Sequence, residues 1–137
     1  MDAQLNEIRQ VWTPSCKGMP LEDLVRLTGN SFFGPSWMIK RKSEITYKFR
    51  EGLTHLEDLL FYLQLAKEGG EYAYTSETIL HYRMHEQSAM RNIDGLVNGY
   101  REVYDYLKEQ EGLSPDWLQA YRTKVNRILS RSYIRKL

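Results

Sequence analysis

The run THLEDLLFYLQLAKEGG, residues 54–70, constrains the fold of this chain more than any other stretch. Thr54 followed three residues later by Glu57 has the spacing of a capping box, in which the hydroxyl and the carboxylate satisfy each other's backbone amides. That pattern predicts a helix from His55 to Glu68. Leu56, Leu59, Leu60, Leu63 and Ala66 recur at helical spacing, and Gly69 and Gly70 end the run. A helix with so apolar a stripe needs a second apolar layer to cover it. Asp58 falls off the stripe, near His55 and Tyr62.

The flanking segments supply candidates for that layer. In PLEDLVRLTGN, Pro20 suits a first helical turn, Glu22 and Asp23 favour the positive end of the dipole, and Gly29 provides a left-handed stop. Leu21, Leu24, Val25 and Thr28 form the inward stripe of this short helix. Ser36 to Arg41 reads as a strand after Gly34 and Pro35, and EYAYTSETILHYRMH reads as extended chain broken near Ser76. Alternation in its second half puts Ile79, His81, Arg83 and His85 on one side. The expected fold class is therefore α/β, a helix-rich chain with a small sheet. Its strands, near residues 36–41 and 72–84, would pack on the helix from His55 to Glu68.

Two more helices are expected after this unit. Ile93, Leu96, Val97, Tyr100, Val103, Tyr104 and Leu107 follow one face, ended by Gly112. Ser114 and Pro115 then cap a helix containing Trp117, Leu118, Tyr121, Val125, Ile128 and Leu129. Residues 1–92 and 93–137 thus divide into a mixed unit and a helical pair packed on it. Residues 1–18 show no period.

Size and charge narrow the function classes. With 137 residues, 42% of them hydrophobic, the chain is long enough for one core and too short for two ordinary ones. Nineteen basic residues against 18 acidic give a net charge of +1, which offers no global field for nucleic acid. The single cysteine, Cys16, has no partner for an internal disulfide and fits a reducing compartment. No apolar run approaches the length of a membrane span, and no basic-then-apolar signal follows Met1, so a soluble, cytoplasmic chain is expected. From Arg122 to Lys136 there are six basic residues and no acidic one. Such an end can be a solvated helix face, or can rest peripherally on an anionic membrane at its inner face.

The residues with reactive chemistry are few. Glu57 and Asp58 both suit a helix N-terminus. Glu57 is used by the capping box, whereas Asp58 is left free to serve as a general base. His81 and His85 have the spacing of a weak two-histidine metal site, and Arg83 suits a phosphate. Gly-x-Ser-x-Gly, Walker and Gly-x-Gly-x-x-Gly motifs are absent from the sequence.

Taken in order, GPSWMIKRK, the LED opening an amphipathic helix, AKEGGEYAY and ILHYRMHEQSAMR resemble the C-terminal half of the catalytic domain in inverting, GT-A-fold nucleotide-sugar glycosyltransferases of the family-2 type. The resemblance covers roughly residues 30–92. It implies that Asp58 is the catalytic base, with Glu57 its structural companion. It implies that Arg83 and His85 face the donor diphosphate, that His85 can ligate a divalent metal (Mg or Mn), and that Ser88 supports their loop. Trp37 would offer an aromatic face to an acceptor sugar. The implied partners are a nucleotide-sugar donor and a glycan or lipid-linked acceptor, in polysaccharide or glycoconjugate synthesis.

One departure from that family is plain. Its donor-binding half ends in an Asp-x-Asp metal motif, and this chain contains none. The expectation is an incomplete transferase domain that holds the base without the reaction. Such a piece is expected to form a homo-oligomer through its uncovered sheet edge and the helix faces that normally pack on the missing half. The alternative is a self-standing helical module that binds a protein partner or a membrane surface, with Glu57 and Asp58 acting only as a helix cap.

Overall fold

The structure, a computed structural model, describes residues 11–31, 36–40, 43–44, 46, 48–81 and 91–136. Four helices are present among them: α1 (Leu21–Arg26), α2 (Glu57–Lys67), α3 (Ile93–Lys108) and α4 (Pro115–Lys136). Each packs on its neighbour in sequence, and α4 returns to α1, so the four surround one apolar core.

The expected sheet is not there among the described residues. Among the described residues the β structure is one isolated antiparallel bridge, in which Gly18 and Tyr72 exchange both backbone hydrogen bonds at 3.0 and 2.6 Å. In the segment read as a first strand, residues 37–40 are irregular, with Met38 98% exposed. In the second, Ile79 and Leu80 face solvent; residues 82–84 lie outside the described residues. The α/β expectation is therefore corrected to a helix-rich arrangement without a sheet among the described residues. The physical reason is that α1 and α3 pack on α2 and share the core with its Leu59, Leu60 and Leu63, so no sheet is needed to bury the leucine stripe.

Helix α1 shows how side chains outside the apolar pattern set local structure. Leu24 and Val25 are fully buried as the stripe predicts, but Thr28 is exposed. The helix stops at Leu27, in the left-handed region at φ 51°, before Gly29 is reached. Its amide donates to the Asp23 and Leu24 carbonyls. The conformation costs a side-chain-bearing residue about 1–2 kcal/mol. Buried Asp23 offsets that cost. Its carboxylate accepts from the Ser31 amide (2.8 Å), the Asn30 amide (3.3 Å) and the Ser31 hydroxyl, which folds residues 28–31 back over the helix. That loop collects further bonds: Trp37 Nε1 donates to the Ser31 carbonyl at 2.8 Å, and Trp12 Nε1 to the Gly29 carbonyl at 2.9 Å.

Helices α3 and α4 form an antiparallel hairpin across a short turn containing Gly112, which has φ 81°. The Asn92 side chain caps α3 by accepting from the Gly95 amide at 3.1 Å, and the Ser114 hydroxyl accepts from the Asp116 amide at 3.3 Å before α4. Tyr121 locks the pair. It is 1% exposed, donates its hydroxyl to the Tyr100 carbonyl at 2.9 Å, and stacks on Tyr104 with ring centres 6.1 Å apart.

Candidate functional site

Asp58 sits in the first turn of α2, whose start differs from the capping-box expectation. The helix begins at Glu57, and Leu56 precedes it in the left-handed region at φ 62° with no side-chain cap. Thr54 Oγ1 instead lies 3.1 Å from His55 Nδ1. The cause is a contact the sequence reading missed. His55 is buried against α3, where two glycines leave room for it. A Cβ on Gly95 would stand 2.5 Å from His55 Nδ1, and one on Gly99 would stand 2.5 Å from the His55 carbonyl oxygen. Docking the turn this tightly bends residues 54–56 away from cap geometry.

The signal was in the sequence as Gly95-x-x-x-Gly99. Two glycines four apart share a helix face, and each costs a helix interior about 1 kcal/mol relative to alanine, which asks for a compensating close approach. Gly99→Ala is accordingly expected to destabilise the fold by about 1–3 kcal/mol, despite the better helix former, because the obstructing atom is backbone. Urea denaturation measures this. A gain in stability would show that the His55 turn does not pack there.

The docked turn sets the surroundings of Asp58. Its carboxylate is half-buried, and Oδ1 accepts from the Leu59 amide at 2.7 Å. Burial pushes its pKa above the ordinary value, helped by the neighbouring Glu57 charge and opposed by the Leu59 amide. The same carboxylate reaches two tyrosines. Tyr62 is raised by burial and then by Asp58, and Tyr100, on α3, is pushed up to about 12 by the same two causes. Asp58, in the first turn of α2, is therefore a carboxylate of increased basicity whose charge acts on Tyr62 and Tyr100, an arrangement suited to accepting a proton from a hydroxyl.

The sign of its effect on stability follows. A carboxyl group whose folded value is raised contributes stability below its ordinary value of 3.8, and that contribution is lost as pH rises through the raised value. Asp58→Asn is thus expected to raise the melting temperature at neutral pH, with the gain vanishing in acid below that ordinary value. Thermal melts of both forms across pH check it. A neutral-pH loss would mean that the ionised carboxylate stabilises the helix.

Of the other candidate residues, Glu57 stands beside Asp58, partly exposed. Trp37 joins the same region through Tyr62, one turn after Asp58: their rings stack at 4.4 Å and 25°, with Tyr72 5.1 Å from the indole. The indole is partly buried, and its face toward Tyr62 is used in packing. Arg83, His85 and Ser88 lie outside the described residues. His81 is exposed, and among the described residues no group of three or more His, Cys, Asp or Glu side chains can hold a metal ion. Cys16 is raised by burial and by the Asp23 charge, which disfavours the reactive thiolate. No described helix is long and apolar enough to cross a membrane. Compared with known proteins, the chain matches no protein-family model, no curated protein and no solved structure.

Proposed function

We propose that this chain carries the acceptor-side machinery of an inverting nucleotide-sugar glycosyltransferase, with Asp58 as the base. The observation that carries the reading is the environment of Asp58 in the first turn of α2: a half-buried carboxylate raised by burial, whose charge acts on Tyr62 and Tyr100, with Tyr62 stacked on Trp37. The residue that the ordered motifs single out from sequence is the one whose surroundings favour proton uptake. The proposal rests on these residues and their order, and the sheet implied by the resemblance is no part of it.

In this reading the acceptor hydroxyl loses its proton to an Asp58 carboxylate oxygen as its own oxygen attacks the anomeric carbon. The new carbon–oxygen bond forms on the face opposite the breaking one. The bonding pair leaves with the nucleoside diphosphate, so the configuration inverts. Glu57 keeps the helix start charged and raises the basicity of its neighbour. Arg83 and His85 are the candidate partners for the leaving diphosphate. The residues described here do not form a metal site, and the sequence has no Asp-x-Asp. No donor or metal site is assigned among the described residues.

The all-helical core among the described residues favours a second reading, a non-catalytic helical interaction module. Titrating the isolated chain with simple methyl glycosides, followed by carboxyl- and aromatic-detected NMR, separates the two. The transferase reading expects weak binding that moves the signals of Asp58, Tyr62 and Trp37 together and is lost in Asp58→Asn. Shifts scattered over the surface, or none near Asp58, leave the pair as a helix terminus and favour the interaction module.

A further inference from the structure

Helix α4 runs for 22 residues against 16 in α3, about 33 and 24 Å at 1.5 Å per residue, so its C-terminal part outruns its hairpin partner. Among the described residues of α4, Tyr121 and Val125 are buried; beyond them Ile128 and Leu129 are only partly covered. Farther along, Tyr133 and Ile134 are 50% and 68% exposed, an adjacent apolar pair on an otherwise polar helix end.

A basic row leads to that pair. Lys124, Arg127, Arg131 and Ile134 follow at intervals of three, four and three residues, which places them along one side of the helix. Arg127 and Arg131 are exposed. The only acid on α4 is Asp116, in its first turn, two turns before the row begins. On α1, which packs against α4, Glu22 is paired with Arg26 at 2.6 Å and the Asp23 carboxylate is buried in its loop. On α3, Glu102 is paired with Arg50 at 3.0 Å and Asp105 with Lys108 at 2.9 Å, so the row presents positive charge with no acid beside it on α4, in a chain whose total charge is only +1.

From this we infer that the C-terminal half of α4 docks on the surface of an anionic lipid bilayer. The basic row would lie against phosphate head groups, and Ile134 with Tyr133 would enter the head-group boundary. Charge complementarity selects an anionic partner, and the exposed pair of an aliphatic Ile134 and an amphipathic Tyr133 at the helix end suits the apolar-to-polar boundary of a bilayer. The inference is independent of the reaction proposed for Asp58, so either can fail alone.

The test is co-sedimentation of the whole chain with sucrose-loaded vesicles. Equimolar phosphatidylcholine and phosphatidylglycerol is compared with phosphatidylcholine alone, at low and raised salt. Binding is expected only to the anionic vesicles and is expected to fall as salt rises. The double variant Arg127→Gln, Arg131→Gln should bind about 30-fold more weakly. Ile134→Ser should also weaken binding, in a manner that salt does not mimic. Both positions are exposed, so circular dichroism should show the variants folded. Equal binding to both vesicle types overturns the inference, as does unchanged binding by the double variant. So does an RNA oligonucleotide that is bound when vesicles are not.

Discussion

On the transferase reading proposed above, Asp58→Asn is expected to lower turnover by about 100- to 10,000-fold, the range that a positioned general base supplies. Donor affinity should be nearly unchanged, because the carboxylate acts on the acceptor proton and not on the nucleotide. Asparagine keeps the size of the side chain and an oxygen able to accept from the Leu59 amide, now made at 2.7 Å, so the helix start should survive. The two consequences of the substitution then oppose each other: a more stable fold at neutral pH and a nearly inactive enzyme. Steady-state kinetics beside thermal melts of the same preparation test the pair of expectations. Ordinary turnover by the variant would return Asp58 to the role of a helix-terminal acid.

The second large effect is structural. Tyr121→Ala is expected to destabilise the fold by about 3–5 kcal/mol, the range for removing a large buried aromatic side chain. Tyr121 is nearly inaccessible, meets the Tyr100 and Tyr104 rings, and closes the α3–α4 pair through its bond to the Tyr100 carbonyl. Burial and the neighbouring Tyr100 raise its pKa, in keeping with a phenol that stays neutral. Tyr121→Phe isolates the hydrogen bond, and about 1 kcal/mol is expected for it, since the ring packing is kept. Urea denaturation of the two variants measures both terms. Because Tyr100 also lies close to the Asp58 charge, loss of Tyr121 should loosen the candidate site as well.

Much of the helical content was readable from local pattern. The apolar faces of α3 and α4, the start of α4 at Ser114, and the Gly69–Gly70 end of α2 all follow from periodicity and turn chemistry within one segment. The capping box was the exception. Thr54 and Glu57 have the right spacing, but burial of His55 against Gly95 and Gly99 outweighs a cap whose loss costs only about 1 kcal/mol. Trp37 shows the same limit. A strand and a stacked indole draw on one apolar, aromatic-rich composition, and the stacking on Tyr62 was settled by a residue 25 positions away.

The sequence by itself determined where helices form and which residue, Asp58, is the acid left outside the leucine stripe, because both depend on neighbours within a few residues. Tertiary structure decided what covers that stripe, how the turn before α2 is bent, and what raises the basicity of Asp58. Those outcomes depend on desolvation and close packing between segments some 40 residues apart, as between His55 and Gly99. No period within one segment encodes which of several apolar partners a stripe will meet. The competing layers here, a small sheet or two more helices, bury the same kind of surface, and the choice falls to the packing that fits.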